Sequence, residues 1–192
     1  MATFSALPPE PTAAGWADLA DLLGPGAFAD LFSSPLSPPA DWEQVFTLDG
    51  FQLVLDTLPP RAAVAIVPLG ADDSPAMRAL VERTRPGPFW ERTHEMGRYV
   101  GVRDGDALVA MAGERLRPPG ATEISAVCTA PEARGRGLAA ALVTDAAHAI
   151  AARGEQPFLH VAASNVGAIA LYERLGFRVR RAVVFRGYRT PG

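Results

Sequence analysis

Arg134-Gly135-Arg136-Gly137-Leu138-Ala139 concentrates two guanidinium groups and two glycines in six residues. Glycine has no Cβ, so the backbone can approach a ligand closely. A helix beginning at Gly137 would add free N–H groups and a partial positive charge at its N-terminus. Together these features make an anion site, most naturally a cradle for phosphate or pyrophosphate. The loop lacks the Lys-Ser/Thr ending of a P-loop and the three-glycine fingerprint of dinucleotide sites. It fits Q/R-x-x-G-x-G/A, with Arg134, Gly137 and Ala139 at the fixed positions. The bland reading is a Gly-Arg surface turn that caps a core helix. Asn165 and Tyr172 form a second group further along, within Ala163-Ser164-Asn165 and Leu171-Tyr172-Glu173-Arg174-Leu175-Gly176-Phe177.

The elements that must position these residues are legible around them. Ile124 to Thr129 is apolar and β-branched, hence a strand, and Pro131 cannot continue a ladder. From Gly137 through Arg153 the chain is Ala-rich with high helix propensity, and Gly154 stands where a C′ glycine belongs. Phe158 to Ala162 predicts a further strand. Ser164-Asn165 open a helix with Ala168, Leu171, Tyr172 and Leu175 on one face, ended by Gly176. Val179 to Tyr188 predicts the last strand. Upstream, Ala62 to Leu69 reads as a buried strand. A helix follows from Asp72 or Ser74, with Pro75 in its first turn, to about Thr84. Arg98 to Arg103 and Ala107 to Leu116 flank Asp104-Gly105-Asp106, a hairpin signal. This order of elements predicts an α/β (α+β) domain, a mixed sheet with helices on both faces.

The first sixty residues differ in character. Prolines punctuate them, and a boundary is placed at Pro59-Pro60, giving an acidic N-terminal extension over 1–60 and a main domain over 61–192. Trp16 to Leu23 predicts a short helix stopped by Gly24-Pro25, and Ala27 to Phe32 a second. Gln44 to Leu48 and Phe51 to Leu55, joined by Asp49-Gly50, predict a hairpin. Trp16, Phe28, Phe32 and Trp42 are too apolar for a solvated tail, so this segment is expected to pack on the main domain or on a partner subunit.

Composition narrows the function class. Net charge is −3, with every acidic residue of the first sixty preceding the first basic one, Arg61. Nothing argues for nucleic-acid binding. All basic residues are arginine, which reads as genome composition. One cysteine, Cys128, excludes an intrachain disulfide and fits a reducing compartment, and its simplest role is small core filler. There is no signal-peptide pattern, no run long enough to span a membrane, and no ligand spacing among His94, His148 and His160 for a metal. The expectation is a cytoplasmic protein, monomeric or homodimeric.

The strand, anion loop and helix over Thr122 to Gly154, followed by Ala163-Ser164-Asn165 and the Leu171–Phe177 block, resemble the two ordered motif blocks of the GNAT N-acetyltransferases. With the upstream strands the likeness covers about 130 residues and leaves out the Pro-rich start. The resemblance implies a central sheet whose middle strand splays from its neighbour, acetyl-CoA as cosubstrate without a metal, and direct attack by an amine on the thioester. It implies that Val127, Cys128 and Thr129 pair with the pantetheine arm, with the Val127 N–H polarising the carbonyl. Arg134, Gly135, Arg136, Gly137, Leu138 and Ala139 would hold the pyrophosphate, and Asn165 would hydrogen-bond pantetheine; Asn165 also suits a helix N-cap. Tyr172 would protonate the departing thiolate, a phenol near pKa 10 facing a thiol near 8.5; otherwise it is a core aromatic. Glu123 falls where some members carry the base that deprotonates the amine. It could equally be a strand-end or substrate-binding carboxylate, and Glu91, His94, Glu95 and Glu114 are further candidates. Phe89 to Met96 would shape the acceptor pocket. The acceptor is a small-molecule or peptide amine; a non-catalytic acyl-CoA-binding sensor or scaffold of the same fold is the alternative.

Overall fold

The structure is a computed structural model that describes residues 4–31 and 36–192. Eight strands form one mixed sheet: β1 (Phe28–Asp30), β2 (Glu43–Leu55), β3 (Val67–Leu69), β4 (Tyr99–Asp104), β5 (Ala107–Glu114), β6 (Ala121–Thr129), β7 (Gln156–Ala162) and β8 (Phe177–Arg189). Their spatial order is β1-β8-β2-β7-β6-β5-β4-β3. Four helices accompany them: α1 (Ala13–Leu23), α2 (Ser74–Thr84), α3 (Leu138–Ala152) and α4 (Val166–Arg174). The α/β fold is therefore the expected one, in the expected order from β3 onward.

The chain divides into two compact units. Among the described residues, one comprises Gln52–His160 and Val166–Arg180; the other comprises 4–31, 36–51, Val161–Asn165 and Arg181–Gly192. β2, β7 and β8 each contribute to both, so this division differs from a single cut at residue 60.

In the first unit, β3, β4, β5 and β6 are antiparallel neighbours, and β6 runs parallel to β7. Leu69, Met77, Leu80, Val100, Met111, Leu138 and Leu142 belong to its core. Helices cover both faces. Met111 pairs with Cys128, and Thr84 at the end of α2 lies beside that thiol while its hydroxyl donates to the Leu80 carbonyl. Glu114, three residues on and therefore on the opposite face, is bound by Arg153 just beyond α3. The β4–β5 turn is the two-residue Gly105-Asp106, with Gly105 at φ 58°. β3 is shorter than the expected Ala62 to Leu69: only Val67–Leu69 pairs, against Tyr99–Gly101 of β4.

In the second unit, α1 is capped by Thr12, whose hydroxyl accepts the Gly15 N–H at 3.1 Å. Trp16, Leu19, Leu31, Trp42 and Tyr188 form its core, with the Trp16 and Trp42 rings edge to face at 5.4 Å. Two sequence expectations are corrected here. The helix over Ala27 to Phe32 is instead strand β1, paired antiparallel with β8 through Phe28↔Arg189 and Asp30↔Gly187; Phe32 lies outside the described residues. The hairpin at Asp49-Gly50 does not form, since β2 runs unbroken from Glu43 to Leu55. Gly50 is there for space, not for a turn. A Cβ on it would stand 2.4 Å from the Phe185 ring and 2.6 Å from the Val161 carbonyl oxygen.

Candidate active site

The pairing of β6 with β7 stops early. Rungs run from Ala121↔Gln156 to Ile124↔Leu159 and then cease, although β6 continues to Thr129 and β7 to Ala162. Ser125 and His160, the next residue on each strand, form no rung, so the ladder forks there. The cause is visible on the other edge of β6. Between Ser125 and Cys128 it holds one residue more than β5 does between Met111 and Gly113, a β-bulge. Ala126 sits in this bulge at φ 53°, a conformation unusual for a residue with a Cβ. Val127, Cys128 and Thr129 follow on the splayed segment. Cys128 is buried and its thiol is pushed up to about 11 by burial. The Thr129 hydroxyl is buried without a hydrogen-bond partner among the described residues.

β6 leads through a short 3-10 turn, Pro131–Ala133, into the glycine loop. Gly135 and Gly137 have φ 77° and 74°, and a Cβ built on either meets nothing within 4 Å. Both glycines are thus required by conformation and border open space. Gly137 is the N-cap of α3 and offers no side chain to its first N–H groups. Arg134 and Arg136 are exposed, and Arg136 donates to Asp104 at the end of β4 at 2.8 Å. Leu138 is buried and begins the helix, with Ala139 half-buried behind it. An unpaired buried hydroxyl, an open fork, two strained-position glycines and an uncapped helix N-terminus fit a phosphorylated, amide-bearing chain such as acetyl-CoA.

Tyr172 points inward from α4. It is 7 % exposed, with the Phe177 ring at 6.0 Å. Burial, with a smaller contribution from nearby Cys128, raises its phenol to about 12. Cys128, on the segment of β6 past the last β7 rung, is near enough to Tyr172 to act on its phenol. Asn165 lies in the turn before α4, exposed, its N–H donating to the Ala162 carbonyl at 2.9 Å.

Glu123 is fully buried. Arg115 grips it with two bonds, Nε to Oε2 at 2.8 Å and Nη2 to Oε1 at 2.7 Å, and His160 Nδ1 lies 2.8 Å from Oε1. Burial acts to raise the carboxyl, but the hydrogen bonds from Arg115 and His160 win and hold it below the usual carboxylate range. Both oxygens are therefore already acceptors. The other acidic candidates lie apart from it. Glu95 is exposed and bound by Arg92, Glu114 is held by Arg117 and Arg153, and the Glu91 carbonyl meets His94 Nδ1 at 3.0 Å. Phe89 packs edge to face with Tyr99 at 5.8 Å. The Tyr99 hydroxyl is buried with no partner among the described residues.

Sequence reasoning missed Arg115 and His160 as the partners of Glu123. The available signal was polarity out of place: His160 between Leu159 and Val161, and Glu123 beside Ile124, are polar residues in otherwise apolar strands. Nothing in either stretch says that they meet.

The chain was compared with known proteins. Residues 99–186 match the family model described as FR47-like protein. A crystal structure of a putative acetyltransferase of the GNAT family from Novosphingobium aromaticivorans is 41% identical, with a TM-score of 0.88, covering 99% of this chain and 85% of that one. This chain belongs to the GNAT family of acetyltransferases. The N-alpha-acetyltransferase RimI of Mycobacterium tuberculosis is 37% identical over 97 residues, which are 49% of this GNAT chain. The matched part spans 60% of that curated relative's length. The ribosomal-protein-S18-alanine N-acetyltransferase of Escherichia coli shares the fold, with a TM-score of 0.55 and 23% identity over 67% of this chain and 94% of its own. Among the described residues there is no cluster of His, Cys, Asp and Glu able to hold a metal, and no helix long and apolar enough to cross a membrane.

Proposed function

We propose that this protein is an acetyl-CoA-dependent N-acetyltransferase that moves the acetyl group to a primary amine by direct attack. The observation that carries the reading is the β6–β7 fork opening beside the glycine loop at the N-terminus of α3. Acetyl-CoA supplies the activated thioester. The loop from Arg134 to Ala139 binds the pyrophosphate through backbone N–H groups and the α3 dipole, with Arg134 and Arg136 adding charge. Val127, Cys128 and Thr129, past the last β6–β7 rung, offer backbone groups on that side to the pantetheine arm, and the Val127 N–H meets the charge that develops on the carbonyl oxygen. Asn165 is assigned to the pantetheine on its place in the motif alone. Tyr172, fully protonated at neutral pH because its phenol is raised to about 12, gives its proton to the leaving thiolate. Glu123 serves the base side of the reaction, its negative charge favouring removal of the amine proton. The reading carries with it a cytoplasmic location and a monomer or homodimer.

The curated relative is an N-alpha-acetyltransferase, so a peptide α-amine is the first acceptor to try, with small-molecule amines beside it. The test mixes protein and acetyl-CoA with a peptide bearing a free N-terminal alanine, a peptide offering only a lysine amine, and a set of small primary amines. Thiol release and an acetyl mass increment on one acceptor are expected. Tight CoA binding without thiol release across the whole set would favour a non-catalytic acyl-CoA module. Absence of CoA binding would overturn the reading.

A further inference from the structure

Positive φ belongs to glycine in this chain, with two exceptions among the described residues, Arg85 at φ 48° and Ala126 at φ 53°. Arg85 is the C-cap of α2, where a left-handed residue is a common way to end a helix. No helix ends at Ala126. It stands inside β6, in the bulge opposite Met111 and Gly113, and at that φ its Cβ crowds the backbone. Glycine would relieve the crowding. The methyl group works against the local backbone, which points to a role beyond the fold.

The bulge also breaks the burial pattern of a strand. Successive side chains of a paired strand turn to opposite faces. Ser125, Ala126 and Val127 are instead all half-buried, between buried Thr122, Glu123 and Ile124 on one side and buried Cys128 on the other. Three consecutive residues therefore border space that the protein does not fill. On their inner side Ala126 and Val127 pack against the core that includes Met111 and Cys128, which fixes them in place.

The acetyl-CoA reading, on which this inference rests, sets the acyl group beside that methyl. The glycine loop begins at Arg134, past the C-terminal end of β6, so the pantetheine arm runs back along the strand through Thr129 and Cys128. The sulfur then lies on the Cys128 side, where Tyr172 is close. The carbonyl oxygen is held at the Val127 N–H. The thioester carbon is planar, so with oxygen at Val127 and sulfur behind it, the acyl chain points onward to Ala126. Only about 3 Å separates a Cβ from the nitrogen of the next residue, and the hydrogen bond adds about 3 Å. The acyl methyl and the Ala126 methyl are neighbours.

We propose that the Ala126 methyl is the stop that limits the acyl donor to acetyl. Propionyl-CoA carries one more carbon, and that carbon needs the space the methyl holds. The bonds made and broken are the same for either donor. The amine nitrogen bonds to the acyl carbon, the carbon–sulfur bond breaks, and the thiolate takes the Tyr172 proton. The amine hydrogen leaves to solvent, and Tyr172 regains a proton from solvent. Net, amine and thioester become amide and thiol. The choice between donors therefore rests on room for the acyl chain.

The test measures kcat/KM for acetyl-CoA and propionyl-CoA with the alanine-terminated peptide and the small amines, and CoA affinity by calorimetry. The wild type should favour acetyl by about 10–200-fold, the usual worth of one carbon in an apolar pocket. In Ala126→Gly that ratio should fall at least about tenfold, through a gain with propionyl-CoA, with CoA affinity within about twofold of wild type. Its melting temperature should not fall, because φ 53° suits glycine. Ala126→Ser keeps an atom in the methyl position and should keep the wild-type ratio. A folded Ala126→Gly with the wild-type ratio, or a wild type that uses both donors equally, overturns the proposal and leaves the acetyltransferase reading standing. A ratio relaxed equally in Ala126→Ser does the same, since size is then not the cause. Should no amine be acetylated, or the variants fail to fold, calorimetry with the ketone analogues acetonyl-CoA and 2-oxobutyl-CoA decides on the wild type. Tighter binding of acetonyl-CoA supports the stop, and equal binding overturns it. Absence of binding by CoA and both analogues overturns the stop and the acetyltransferase reading together.

Discussion

Removing only the Tyr172 hydroxyl, in Tyr172→Phe, isolates the acid. The ring is 7 % exposed and packs against Phe177, so the phenylalanine keeps the packing and stability should change by no more than about 1 kcal/mol. CoA affinity should hold, since the glycine loop and β6 are untouched. Turnover should fall about 10²–10³-fold, which is about 3–4 kcal/mol of transition-state stabilisation. The shape of the pH profile follows from the phenol being raised to about 12. At pH 9 such a group is about one part in 10³ ionised, against about one tenth for an ordinary tyrosine. The wild type should therefore show no loss of rate up to pH 10 from this group, and the factor lost in Tyr172→Phe should be the same at pH 7 and pH 9. Single-turnover thiol release after mixing preloaded acetyl-CoA complex with the acceptor measures the step directly. A wild-type rate in Tyr172→Phe, or a defect confined to alkaline pH, would refute the assignment. The same shift has a sign for stability. A raised folded pKa means its contribution is fully present below about 10 and lost as pH rises through about 12. Alkaline unfolding should accordingly begin at higher pH in Tyr172→Phe.

Gly137→Glu should abolish CoA binding in calorimetry. The added carboxylate enters the open space in front of the loop, while strain at φ 74° costs the fold only about 1 kcal/mol. Glu123→Gln should destabilise the protein by about 3–5 kcal/mol in denaturant titrations, because Arg115 is left buried against a neutral partner. Its wild-type contribution should be present above the ordinary carboxylate range and lost as pH falls through the lowered folded value. Gly50→Ala should cost about 1–3 kcal/mol, since its Cβ would meet the Phe185 ring and the Val161 carbonyl. An unchanged unfolding midpoint would show that neither neighbour constrains it.

The sequence by itself determined the local parts. Helix α3, its Gly154 stop at φ 75°, the β4–β5 turn at Gly105 and the inward face of α4 follow from propensity, glycine conformation and period, which act over a few residues. The glycine loop could be read as an anion cradle because its chemistry is contained in six consecutive residues. Tertiary structure decided whatever depends on residues distant in the chain. Asp49-Gly50 looks like a turn, yet the demand for space beside Phe185 and Val161 made Gly50 an interior strand residue. Phe28 to Asp30 became a strand because β8 offered an edge to pair with. Polar side chains bonded across the sheet show the same limit. Glu123, His160, Gln52 and Arg180 stand on four different strands, and only the strand order makes them neighbours. A hydrogen bond is fixed within a few tenths of an ångström, and pattern along a chain carries no information about distance across a sheet.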